Sequence, residues 1–192
     1  MEAKNKQIID VAIEMFSNKG FQQTTVQEIA EAAGVGKGTI YRFFESKEDL
    51  VSSLVEFAID DVAGAIREAI RKLSDPVEKL RTIIATEVDY YDQHRNLAKF
   101  LVREVLGYRS TFEAHVKQIW AKRGTLVEEV IRDGVASGAF KTIDPQTAAA
   151  SLEGMILATV IYWFMISDAY PRQRIRADIF TMVFDGVLTK NQ

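Results

Sequence analysis

Between residues 36 and 47 the chain carries Lys37, Thr39, Tyr41, Arg42 and Lys47, with Gly36 and Gly38 set among them. Lysine and arginine suit phosphate oxygens and guanine edges, while threonine and tyrosine hydroxyls suit phosphates or bases. Glycines beside them allow close approach of a partner to the backbone. The chemistry on offer is nucleic-acid recognition. Ile40, Phe43 and Phe44 are left to hold the segment on a scaffold. On these residues alone, an ordinary surface helix with a few polar groups is the plainer alternative.

Catalytic and metal chemistry find less support. The two histidines, His94 and His115, fall on different expected helices, with no HExxH or comparable spacing. GVGKGT over 34–39 holds a lysine between glycines but lacks the GxxxxGK[ST] spacing of a phosphate loop. No nucleophile motif is present, so neither a catalytic residue nor a metal or other cofactor is expected. A helical hydrolase or isomerase stays as the enzyme alternative, without a motif to carry it.

Three carboxylates sit inside apolar stripes: Glu87 after Ile83 and Ile84, Glu104 after Phe100 and Leu101, Glu153 after Ala149 and Leu152. Arg123 is placed similarly. Charges in such positions are rarely buried without partners, and structural ion pairs with Arg103, Arg123 or His94 are the bland explanation. The sharper one is a ligand cavity among helices, lined by Glu87, Glu104 and Arg123 with Phe57, Tyr91, Phe100, Tyr108, Trp120 and Tyr162 as its walls. Each aromatic taken singly also reads as plain core.

The elements that must position the residues of 36–47 are short. Val26, Ile29, Ala30 and Ala33 recur at i, i+3, i+4 and i+7, one stripe on a helix of about two turns. Thr25 and Glu28 have the spacing of a capping box, and Gly34 can end the helix in a left-handed conformation. Val35 plugs the turn, and a second helix is predicted over 37–44. Helix, glycine turn, helix is the helix-turn-helix pattern. Ahead of it, Ile8, Ala12, Met15 and Phe16, with Ile9 and Val11, predict a helix over 5–18 that stops at Asn18-Lys19-Gly20.

With these residues in view, the run GVGKGTIYRFFESKEDL, preceded by FSNKGFQQTTV, resembles the DNA-binding domain of the TetR family of bacterial transcriptional repressors. The match includes Thr39, Tyr41, Phe44 and Lys47. It departs at Gly36, where many members carry a serine that caps the second helix. The resemblance implies DNA contacts from Thr25, Lys37, Gly38, Thr39, Tyr41, Arg42 and Lys47, with Tyr41 and Lys47 on phosphates. More loosely, SGAFKTIDPQTAAASLEGM is similar to members that sense long-chain fatty acyl groups.

The whole chain sets the frame. It has 192 residues, 47% hydrophobic and 27% charged, with three prolines and few alternating β-branched runs, so an all-α fold is expected. The absence of cysteine excludes disulfides and fits a reducing cytoplasm. MEAKNKQ leads straight into an amphipathic helix, and no signal peptide is expected. Net charge is −3, and over residues 1–44 Lys4, Lys6, Lys19, Lys37 and Arg42 are balanced by Glu2, Asp10, Glu14, Glu28 and Glu31. A basic domain is absent, so a small phosphate footprint and a shallow salt dependence are expected, which doubling of contacts in a dimer would offset.

Further helices are expected from a Ser46 cap through Ile70, from Pro76 to about 93, over 97–107, from about 111 to 136, and through the two last apolar segments. TAAASLEGMILATVIYWFMIS approaches the length of a membrane span, but Glu153 leaves only 154–166 uncharged, too short to cross. No membrane association is expected. A helix apolar all round must bury two faces, one of them against a partner. TetR-family repressors dimerise through their last two long helices, which implies a homodimer interface at Leu152, Met155, Ile156, Thr159, Trp163, Ile179, Met182, Val183 and Gly186. Packing within a monomer is the alternative.

The combined expectation is a helix-turn-helix DNA-binding domain over 1–48 joined by a long helix to a ligand-binding and dimerisation domain over 49–192. As a cytoplasmic homodimer it would bind a palindromic double-stranded DNA operator and be released by a small apolar or amphipathic effector, such as a long-chain acyl group. A DNA-binding dimer without an effector, and a repressor that senses lipophilic cations, remain open alternatives.

Overall fold

Several helix starts in this chain are made by side chains that reach back to orphan backbone N–H groups. The computed structural model describes residues 3–100, 125–166 and 172–187, and these form helices α1 (Ala3–Lys19), α2 (Val26–Ala32), α3 (Lys37–Phe43), α4 (Lys47–Ile70), α5 (Pro76–Gln93), α6 (Thr125–Ala136), α7 (Pro145–Ile166) and α8 (Arg172–Val187). Among the described residues no strand runs between them. Residues 95–100 are also helical, as the start of the segment expected over 97–107. Asp49 N–H donates to Ser46 Oγ (3.0 Å) at the start of α4, and Val77 and Glu78 N–H donate to the Asp75 carboxylate at α5. Thr147 N–H donates to Asp144 at α7 (2.8 Å), and this bond with that of the Thr147 hydroxyl holds the Asp144 carboxyl below its ordinary value.

The described residues divide into two compact units. One takes the chain up to Ala58 and resumes at His94; the other runs from Ile59 to Gln93 and holds α6, α7 and α8. Helix α4, about 36 Å long at 1.5 Å per residue, gives its first half to the one and its second half to the other.

In the first unit the expected stripe of α1 is buried at Ile8, Ile9, Ala12 and Phe16, joined by Ile13, whereas Val11 and Met15 are only half-buried. Phe16 packs against Phe21 and Phe100, each with ring centroids 5.9 Å away. Gly20 has φ 81°, the left-handed conformation that ends α1 and turns Phe21 back onto this core.

The second unit is arranged around α5, which packs against α6, α7 and α8. Its buried face is Leu80, Ile83, Ile84, Glu87, Val88, Tyr90 and Tyr91, and Tyr90 donates a 2.6 Å hydrogen bond to Asp61 on α4. Helix α8 runs antiparallel to α5. The Arg81 guanidinium lies 4.0 Å from the Phe184 ring centroid, Asp89 faces Arg176 at 3.7 Å, and Asp92 faces Arg172 at 3.4 Å. Rising numbers on one helix meet falling numbers on the other. At the end of α6 the Phe140 ring occupies the space a Cβ on Gly134 would need, so this position accepts no side chain without moving a buried aromatic.

Helix α7 is apolar all round, and by length and composition alone it would pass as a membrane span. Ala149, Leu152, Ile156, Val160 and Trp163 form its buried stripe, at spacings of three and four residues. On the opposite side Gly154, Leu157, Ala158 and Tyr162 are exposed.

Candidate functional site

Position 34 sets the geometry between α2 and α3. Thr25 is the N-cap of α2 in a complete capping box: Glu28 N–H donates to Thr25 Oγ1 (3.2 Å), and Thr25 N–H donates to Glu28 Oε2 (2.8 Å). At the other end Gly34 adopts φ 63°, its N–H donates to Glu31 C=O (3.1 Å), and Val35 N–H donates to Ala30 C=O (2.9 Å). This pair of bonds is the Schellman closure, which needs a residue free to go left-handed. Gly36 then caps α3 in an extended conformation with no side-chain hydrogen bond, while its C=O accepts from Thr39 N–H (2.8 Å). The departure noted at Gly36 thus leaves the helix start intact and only less well capped.

On α3, Ile40 is buried together with Phe44 just beyond its end, and Phe43 is half-buried. Lys37, Gly38, Tyr41 and Arg42 face solvent, with Thr39 half-buried at their edge. Tyr41 is 47% exposed, and the Lys37 ammonium stands 5.8 Å from its ring centroid, one helical turn away. A Cβ at Gly38 would meet nothing within 4 Å, so the fold makes no demand for glycine there. Its missing side chain benefits only something that approaches from outside. Two cations, two hydroxyls and bare backbone on one short face match the chemistry of groove and phosphate contact.

Thr25 is exposed, but its hydroxyl is already engaged: it donates to Glu28 Oε2 (2.9 Å) as well as accepting from Glu28 N–H. Lys47 is the first residue of α4, and its ammonium lies 4.1 Å from the Phe21 ring centroid. Sequence reasoning missed Phe21 in this role. Its one signal was position, immediately after the glycine that ends α1. The Lys19 ammonium donates to Glu28 Oε1 (2.9 Å) and ties α1 to the α2 cap. That bond and those from the Thr25 backbone N–H and hydroxyl push the Glu28 carboxyl down to about 2.

The residues expected around an effector fall in different places. Phe57 and Phe100 belong to the first unit, Phe57 half-buried and Phe100 stacked on Phe16. Glu87 and Tyr91 are buried on α5, Glu87 completely (0% exposed), and Tyr91 packs edge-on against Tyr90. Tyr162 is 55% exposed on α7. Glu104, Tyr108, Trp120 and Arg123 lie outside the described residues. An apolar cavity of about 160 Å³ in the second unit is lined by Leu80, Ile131, Phe140, Leu152, Met155 and Val183 among others. A shallower, open cleft of about 270 Å³ lies along Ala158, Thr159, Tyr162, Trp163 and Ile175. The smaller one compares with an engineered cavity of about 150 Å³ that takes benzene. Among the described residues no three histidine, aspartate or glutamate side chains converge as a metal site would require.

Of the residues expected at a dimer interface, Leu152, Ile156, Trp163, Ile179 and Val183 are buried within the chain itself. Met155 and Thr159 are half-buried, Met182 is 55% exposed, and the surroundings of Gly186 lie outside the description. Leu157, absent from that expectation, is exposed next to Ala158 and Tyr162. A continuous apolar run gives no sign of which side turns inward.

Residues 8–54 match the model for bacterial regulatory proteins of the tetR family, and residues 73–187 match that for the tetracyclin repressor-like C-terminal domain. The chain belongs to the TetR family. It is a DNA-binding transcriptional regulator with an all-α fold. Among relatives of this TetR-family chain, the fatty acid metabolism regulator protein of Bacillus subtilis (strain 168) is 27% identical over 188 residues, 97% of either chain. The transcriptional repressor KstR2 of Rhodococcus jostii (strain RHA1) is 25% identical over 96% of this chain and 91% of its own. The crystal structure of FadR from Bacillus subtilis in complex with stearoyl-CoA superposes with a TM-score of 0.86 at 27% identity, covering 94% of this chain and 98% of that one.

The capping box carries a pH prediction. Because the Glu28 carboxyl falls from the usual 4.5 to about 2 on folding, its contribution is complete above 4.5 and is lost as pH falls through about 2. Glu28→Gln should therefore lie below the unmodified protein in denaturant midpoint by a constant gap at neutral pH. That gap should narrow steadily between 4.5 and 2. A gap as wide near pH 2 as at pH 7 would remove the carboxylate from this account.

Proposed function

We propose that this TetR-family regulator is a cytoplasmic repressor that binds a palindromic operator as a homodimer and is released by a long-chain acyl thioester. The single observation that carries the effector is end-to-end likeness to a regulator crystallised with stearoyl-CoA, which extends through the C-terminal domain. In this reading residues 1–48 read DNA, and residues 49–192 bind effector and dimerise. Lys37, Gly38, Thr39 and Arg42 meet the major groove, with Tyr41 and Lys47 on the phosphates. Acyl binding favours a dimer geometry whose reading helices no longer match the half-site spacing.

A repressor that senses lipophilic cations is the alternative; Glu87, buried at 0% exposure on α5, already has an interaction partner and gives it no special support. An acyl thioester carries no carboxylate at the chain end, so Glu87 does not oppose it. Titration of operator-bound protein with a long-chain acyl-CoA and, separately, with a lipophilic cation separates the two. Release by the acyl-CoA is expected. Release by the cation alone, abolished in Glu87→Gln, would replace the acyl reading.

The DNA assignment predicts two kinds of variant. Lys37→Ala and Arg42→Ala should change which sequences are preferred, whereas Tyr41→Phe should weaken specific and random DNA alike. Binding to a library of operator variants distinguishes them, and uniform loss from Arg42→Ala would move that residue to the phosphates.

For the dimer, the exposed apolar residues on α7 and α8 are the ones to charge. Leu157→Glu and Met182→Glu should yield folded monomers with weak operator binding, since one half-site supplies half the contacts. Sedimentation of both variants as intact dimers would rule out this face.

A further inference from the structure

The Lys47 ammonium has an aromatic face for a neighbour. It stands 4.1 Å from the Phe21 centroid, and among the described residues no carboxylate is paired with it. The helix itself gives no reason for a cation there, because the first turn of a helix favours negative charge and disfavours positive. Glu48 and Asp49 fill that turn beside it. Phe21 is itself fixed: it is buried, packed on Phe16 at 5.9 Å, and aimed by the left-handed Gly20. Thr24, also buried, locks the same loop by donating its hydroxyl to Gly20 C=O (2.9 Å).

From this arrangement we propose that Phe21 is a positioning residue for DNA binding: its ring holds the Lys47 ammonium in place for a backbone phosphate. The inference rests on the reading of Lys47 as a phosphate contact. A lysine side chain loses rotamer freedom when it is fixed on a ligand, and a ring that already orders it removes part of that loss before DNA arrives. A carboxylate partner would have to be given up to the phosphate. A π face attracts the cation without neutralising it, and it leaves N–H donors free to point outward. Cation–π attraction at an accessible site corresponds to about two- to fivefold in affinity per half-site.

The test uses the full chain with fluorinated phenylalanines at position 21 and a double-mutant cycle with Lys47→Ala. Stepwise fluorination (4-fluoro, 3,5-difluoro, 3,4,5-trifluoro) drains the π face while nearly preserving ring size. Operator affinity should fall with each fluorine in the Lys47 protein and stay level in Lys47→Ala. Phe21→Leu should likewise weaken binding by about two- to fivefold per half-site with Lys47 present and not at all in its absence. Lys47→Ala should also flatten the salt dependence by about one per half-site. A flattened slope in Lys47→Ala with equal losses from Phe21→Leu in both backgrounds would leave Phe21 a core residue only and overturn the inference alone. An unchanged slope in Lys47→Ala would remove the phosphate reading, and the inference with it.

Discussion

The exposed polar row of α3 depends on one backbone conformation, the left-handed turn at Gly34. Two hydrogen bonds close it, from Gly34 N–H to Glu31 C=O and from Val35 N–H to Ala30 C=O. A residue with a Cβ would pay roughly 1–2 kcal/mol to adopt it. The turn sends the chain from α2 directly into α3, where buried Ile40 and adjoining Phe44 fix the rotation of the helix. That rotation decides which residues face outward. Lys37, Gly38, Tyr41 and Arg42 form one exposed row because Ile40 and Phe44 occupy the other. The capping box at Thr25 and the Lys19–Glu28 contact secure the preceding helix from its far end.

The C-terminal unit follows a different logic, in which one helix is the hub. Helix α5 packs on α6, α7 and α8, and its buried face includes a carboxylate as well as aliphatic and aromatic side chains. Burying Glu87 costs desolvation that a leucine at that position would not incur. The contacts between α5 and α8 are of another kind. Arg81 over Phe184, Asp89 with Arg176 and Asp92 with Arg172 lie at the margins, where each contributes little alone and together they set the register of two antiparallel helices.

The helix-turn-helix segment was legible because its determinants are local. Thr25 with Glu28, Gly34 after Ala33, Ser46 with Asp49 and Pro76 after Asp75 all act within four residues, and each marks a helix end where the structure has one. Phe21 and Lys47 are 26 positions apart, and no local rule links them. Their contact depends on where α1 stops and where α4 starts in space. The stripe of α1 follows its periodicity for a similar reason: period 3.6 picks the face, and packing then chose Ile13 over Val11.

By itself the amino-acid sequence determined the all-α class, the helix ends at Thr25, Gly34, Ser46 and Pro76, and the face of α3 that meets solvent, because caps, glycines and amphipathic periodicity are short-range signals. Only tertiary structure decided which side of α7 lies inside. Apolar surface gains from leaving water in any direction, so a helix apolar all round carries no preference of its own. Leu152, Ile156 and Trp163 turned inward and Leu157 and Tyr162 outward because of the neighbours that α7 met. The same holds for Glu87, whose place in a stripe was visible but whose complete burial depends on the helices packed around α5.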